Sequence, residues 1–197
     1  LGGVLAARVR VGAVWPYGDS DRLGANGVPY DDRFFAGGTY TVRGYLDNGL
    51  GPQIADQAEL DEIGYGSDVP LPENPARGGN FQLITNLEWR FPLPLLARWN
   101  LSSVAFLDGG NVWEDAGDIR WRSFRLTSEA GEPGDPASTK LWDYRYSVGT
   151  GLRLDTPFGP VRFDVGWPLK RARYESLAGA VVEDDSWRFH FSLGQTF

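Results

Sequence analysis

Apolar and polar residues alternate with a period of two in six stretches of this chain. In residues 1–15, Leu5, Ala7, Val9, Val11, Ala13 and Trp15 share one parity, while Arg8, Arg10 and Gly12 hold the other. Charge confined to one side at this spacing predicts a strand; a helix would place its apolar residues three and four apart. In residues 79–91, Phe81, Leu83, Thr85, Leu87, Trp89 and Phe91 oppose Asn80, Gln82, Ile84, Asn86, Glu88 and Arg90. Residues 99–113 put Leu101, Ser103, Ala105, Leu107 and Trp113 outward, with Phe106 and Asp108 inward. A fourth strand is predicted over 144–156. A fifth follows over 161–167, where Val161, Phe163, Val165 and Trp167 oppose Arg162 and Asp164. In the sixth, 187–197, Trp187, Phe189, Phe191 and Leu193 alternate with Arg188, His190, Ser192 and Gly194.

The connections between these strands are unequal. Those at 16–78, 114–141 and 168–185 are long; those at 91–98 and 157–160 are short. Trp15, Trp113, Trp167 and Trp187 fall at the long-loop ends of their strands, and Phe91, Trp99, Phe158 and Phe197 at the short-turn ends. Long outer loops, short periplasmic turns and two aromatic girdles around an apolar band are the pattern of a transmembrane β-barrel. A soluble β-sandwich binding carbohydrate through its tryptophans would alternate too, but it has no reason to sort tryptophans by strand end. The fold class expected is therefore all-β, an antiparallel transmembrane β-barrel. Six strands fall short of the roughly eight that close the smallest single-chain barrels, so the expected unit is the C-terminal part of a larger barrel, or one completed by other chains.

Composition narrows the function. A net charge of −7 leaves no basic face for nucleic acid. Zero cysteines exclude disulfides, thiolate metal sites and a cysteine nucleophile. No apolar run approaches the ~18 residues of a spanning helix, which leaves a strand-built membrane protein open. The chain starts at Leu1 without a leader, as a mature protein or a piece of a longer one would.

The stretch 33–45, RFFAGGTYTVRGY, is too specific in composition for a generic linker. Alone, it would read as a turn at Gly37-Gly38 with a solvated Arg43 beyond it. Together with GGNFQLITNLEWRFPL, FLDGGNVW, GTGLRLDTPFGPVRFDVGWPL and FHFSLGQTF, in that order, it resembles the C-terminal part of the BamA/TamA-type outer-membrane assembly and translocation barrels, also called surface-antigen barrels. Tyr45 and the stretch TPFGPVRFDVGWPL look closer to the TamA type. The resemblance implies a sixteen-stranded barrel of which residues 1–197 are the C-terminal portion, the POTRA domains lying outside this chain. It implies a bacterial or organellar outer-membrane location, and a role in inserting or translocating proteins without catalysis or cofactor.

It also implies site residues. The motif Gly37, Gly38, Val42, Arg43, Gly44 and Tyr45 is expected to fold back into the lumen, with Arg43 paired to Glu88 and Asp108 on the wall. Phe189, Phe191, Leu193 and Phe197 are expected to form a C-terminal insertion signal and one side of a seam with the first strand. Partners implied are outer-membrane lipid, client outer-membrane or secreted proteins, and periplasmic or inner-membrane subunits. Two-partner secretion transporters share the loop motif; a passive pore or an outer-membrane enzyme is the reading from another class.

Other groups carry less. His190 is the only histidine and reads as a hydrogen-bonded lumen residue. Glu183, Asp184 and Asp185 lack the spacing of a calcium loop, and no metal site is expected. Gly149-Thr150-Gly151 is a dinucleotide fragment without its helix; glycines there are expected to thin the sheet for close approach of the lumen loop.

Overall fold

The computed structural model of the chain describes residues 2–22, 27–54, 60–61, 76–93, 100–126, 143–157, 159–175 and 181–194. Strands β1 (Val4–Ala13), β2 (Phe81–Pro92), β3 (Leu101–Trp113), β4 (Arg145–Thr156), β5 (Gly159–Pro168), β6 (Arg173–Glu175), β7 (Val181–Glu183) and β8 (Arg188–Leu193) follow in chain order. Six of them form one antiparallel sheet in the order β1-β2-β3-β4-β5-β8, which leaves one side of β1 and one side of β8 as its edges. The connection at 168–185, expected as a plain loop, carries the β6–β7 ribbon.

Because directly paired residues point the same way, the register aligns inner-face side chains in rows. One row runs Arg8, Asn86, Asp108, Ser147. The next is Ala6, Glu88, Phe106, Gly149, Gly166, Arg188. The third is Val4, Arg90, Val104, Gly151, Asp164, His190. Acids far apart in sequence thereby meet on one wall.

The two faces differ in what covers them. On the inner face, residues of the 16–78 connection pack onto the sheet: Ala36, Val42, Tyr45 and Leu50 are buried with Ile84 and Val112, and Phe34 packs beside them. On the outer face, Leu5, Val9, Val11, Leu87, Trp89, Leu107, Leu152, Phe163, Phe189 and Phe191 are exposed. An uncovered apolar surface of this extent marks contact with a membrane or a partner.

One girdle residue departs from expectation. Trp113 has outward parity but is fully buried. Its ring packs 6.1 Å from Phe81 and 6.3 Å from Tyr144, and Phe124 lies 5.0 Å from Tyr144. Strand parity fixes the face of a side chain; it does not show that the following loop folds back over that face. Trp15, Trp167 and Trp187 are exposed, as expected. Trp99, Phe158 and Phe197 lie outside the described residues.

Candidate functional site

The segment that reaches the inner wall is shaped by two glycines. Gly37 and Gly38 have φ of 108° and 89°, a region L-side chains rarely adopt. A side chain on either would collide with the Leu46 carbonyl or with Asp47. Thr41 closes the turn, its hydroxyl accepting from the Gly37 N–H at 2.8 Å, while the Gly38 N–H donates to the Val42 carbonyl at 3.1 Å. The turn delivers Val42, Arg43, Gly44 and Tyr45 to the sheet as four buried residues in succession.

Arg43 stands among three carboxylates of the wall. Its Nε lies 2.7 Å from Asp108 Oδ2 and its Nη2 2.9 Å from Asp108 Oδ1, a bidentate pair. Nη1 lies 2.7 Å from Glu88 Oε1 and 3.2 Å from Asp164 Oδ2. The Arg43 backbone N–H also donates to Asp108 Oδ2 at 3.1 Å. Beneath the guanidinium the Phe106 ring centroid is 3.6 Å from Cζ, a cation–π contact that a lysine could not reproduce in the same planar form.

Two further arginines pair with the same carboxylates. Arg90 lies 2.7 Å from Glu88, and Arg153 lies 2.5 Å from Asp164 and 3.7 Å from Glu88. Arg8 and the buried Arg162 line the same cavity beside Glu88 and Asp164. Asn86 ties this group to its surroundings: its amide donates to Asp108 at 2.9 Å and to the Thr41 carbonyl at 2.7 Å, and its oxygen accepts from Arg8 at 2.8 Å.

The residues flanking Arg43 dock by backbone and by single polar contacts. Gly44, with φ of 92°, rests on Gly166: a Cβ on Gly166 would stand 2.7 Å from the Gly44 nitrogen. The Gly44 N–H donates to His190 Nε2 at 2.7 Å, so the neutral imidazole carries its proton on Nδ1, which faces the Thr39 hydroxyl at 3.1 Å. Val42 packs against Gly110, where a Cβ would stand 2.8 Å from Val42 Cγ2. The Tyr45 hydroxyl shares its proton between the carbonyls of Tyr146 at 2.8 Å and Lys170 at 2.9 Å. Tyr45→Phe is expected to weaken docking of the loop by about 1–2 kcal/mol. The measurement is amide hydrogen exchange over residues 37–46, which should speed up while β2 and β3 keep their protection.

Asp164, Arg153, Asn86 and Phe106 belong to this site and were not assigned to it by sequence. The available signal was parity, since all four fall on the inner face. The glycine expectation is corrected. Gly149 makes room for the Phe106 ring and Gly151 for the Asp164 carboxylate; the loop backbone itself approaches at Gly166, and Val42 at Gly110. Phe189, Phe191 and Leu193 lie on the opposite, outer face, where Phe163 sits 6.2 Å from Phe189 and 5.2 Å from Phe191.

The model of the Omp85 superfamily domain matches residues 2–197. The outer membrane protein assembly factor BamA of Neisseria meningitidis serogroup B is 31% identical over 176 residues, 86% of this chain and 19% of that protein. The BamA of Nitratidesulfovibrio vulgaris is 29% identical over 196 residues, 98% of this chain and 18% of that protein. Among solved structures, BamA from Haemophilus ducreyi lacking POTRA domains 1–3 superposes with a TM-score of 0.55 at 21% identity, covering 96% of this chain and 32% of that one. The chain thus spans about a fifth of the length of the curated relatives it matches.

Proposed function

We propose, from the premise that this chain belongs to the Omp85 superfamily of outer-membrane β-barrels, that it is the loop-bearing wall of a barrel that inserts proteins into the outer membrane. Its place in a barrel is supported by the apolar exposed outer face and by the sheet edges at β1 and β8. Unpaired backbone groups in hydrocarbon cost several kcal/mol each, so further strands close the sheet. The long connections face outward and the short ones the periplasm.

The observation that carries the proposal is the Arg43 cluster. A guanidinium bound by Asp108, Glu88 and Asp164 fixes the loop against three strands at once, β3, β2 and β5. Such a pin holds the wall in one shape while the barrel's edges exchange strands with a client. Client recognition would use backbone hydrogen bonding at an open edge, which depends little on side-chain identity. The β8 edge, with Phe189, Phe191 and Leu193 facing lipid, is suited to offer such an edge. No step in this role requires bond chemistry, a metal or a cofactor.

The test is insertion. The intact protein in liposomes is expected to accelerate folding of a denatured outer-membrane barrel client, read as protease-resistant, heat-modifiable product against time. Folding at the rate of protein-free liposomes would contradict the proposal. Turnover of a hydrolysable substrate, or steady ion conductance without insertion, would instead support an enzyme or a passive pore.

A further inference from the structure

The loop that buries Trp113 makes a surface of its own. After β3 the chain forms a 3₁₀ turn at Ala116–Asp118 and a second at Trp121–Phe124. The second turn is bonded to the outer side of the wall. The Tyr144 N–H donates to the Ser123 carbonyl at 2.9 Å, and the Tyr146 hydroxyl to the Phe124 carbonyl at 3.0 Å. Tyr144 in turn bonds the Thr85 hydroxyl at 2.8 Å, and its ring fills the space over Gly109; both lie on the lipid-facing parity of β2 and β3. The turn is therefore fixed against the outside of the sheet at its long-loop end.

What this turn presents outward is unusual for a water-facing loop. Trp121 is 93% exposed and Leu126 is 59% exposed, while Arg120 and Arg122 are exposed between and beside them. Of the neighbouring acids, Asp115 accepts from the Gly117 N–H and Asp118 from the Asp115 N–H within the turn, and Glu114 pairs with Arg77, before β2, at 2.5 Å. An indole with cationic side chains around it, on a turn bonded to Tyr146, whose next outward neighbour along β4 is the exposed Val148 paired with Leu107, matches the boundary between acyl chains and headgroups.

The geometry points to the Trp121–Phe124 turn as a bilayer anchor at the long-loop end. Trp121 and Leu126 enter the headgroup boundary, and Arg120 and Arg122 meet the phosphates of net-anionic lipid. This inference rests on the membrane reading above and adds to it a loop-borne lipid contact. It also accounts for Trp113: the girdle at this point is built by the loop, with the strand tryptophan as its foundation.

The test uses bimane attached at Trp121→Cys in the intact protein, in bilayers of phosphatidylcholine with or without phosphatidylglycerol. Phe163→Cys serves as the lipid-facing control and Tyr40→Cys as the loop-side one. Brominated lipid is expected to quench positions 121 and 163 and spare 40. At 121 the quenching should be greater in the anionic bilayer, and Arg120→Gln with Arg122→Gln should abolish that difference. Quenching at 163 with iodide-accessible, lipid-insensitive bimane at 121 would overturn the anchor and leave the membrane reading standing; loss of quenching at 163 as well would overturn both. Lipid quenching at 121 that ignores headgroup charge would overturn the role of the arginines.

Discussion

Replacing Arg43 by alanine is expected to release the loop from the wall while the sheet persists. The substitution takes from Asp108, Glu88 and Asp164, together on a buried surface, the guanidinium that touches all three, while Arg90 and Arg153 stay paired with Glu88 and Asp164. Removing one partner of a buried, hydrogen-bonded ion pair costs about 3–5 kcal/mol. The bidentate bond to Asp108 and the stacking on Phe106 are lost in the same step. Arg43→Lys should recover only a minor part, because an ammonium can neither bridge both Asp108 oxygens in a plane nor stack. Asp108→Asn placed on top of Arg43→Ala should offset part of the loss, since it removes one stranded charge. Insertion of the client should fall with loop docking across this series. An Arg43→Ala protein that inserts clients at the wild-type rate would show the pin to be dispensable for function.

The second large effect is expected at Gly166, where no charge is involved. A Cβ there would stand 2.7 Å from the Gly44 nitrogen, 2.8 Å from its Cα and 3.0 Å from the Arg43 carbonyl carbon. All three are backbone atoms, and the amides of Arg43 and Gly44 are bonded to Asp108 and His190, so the loop has little freedom to yield. Gly166→Ala is expected to cost about 1–3 kcal/mol as an overpacked contact. Gly166→Val should undock the loop as fully as Arg43→Ala does. Gly2→Ala, with nothing within 4 Å of the added carbon, is the neutral control. Thermal melting of the detergent-solubilised protein separates the cases: a shift for Gly166 variants and none for Gly2. Unchanged melting of Gly166→Val would mean that the loop does not rest there.

These two predictions differ in how far the sequence foretold them. Alternation placed Glu88, Asp108 and Asp164 on one face, because a strand's period leaves only two choices for each side chain. Register was not legible, since it depends on which strands pair and by how much they slip. That is why Asp164, which β5 brings into the third row beside Gly151, was known to face inward but was not joined to Arg43. The roles of Gly149, Gly151 and Gly166 were hidden for the same reason; a glycine's purpose lies in the atom opposite it. Trp113 shows another limit, the loop that folds over a strand end. The curated relatives are BamA proteins, and the finer likeness to the TamA type rests on Tyr45 and the TPFGPVRFDVGWPL stretch alone.

The most direct measurement of the central claim is hydrogen exchange at the Arg43 and Gly44 amides of the intact protein in detergent or nanodiscs. Both N–H groups donate to wall side chains, Asp108 and His190, in buried positions. A docked loop predicts protection comparable with β2 and β3, lost selectively in Arg43→Ala. Exchange at 43 and 44 as fast as at the exposed residues 17–19 would contradict it: the loop would then lie free of the wall.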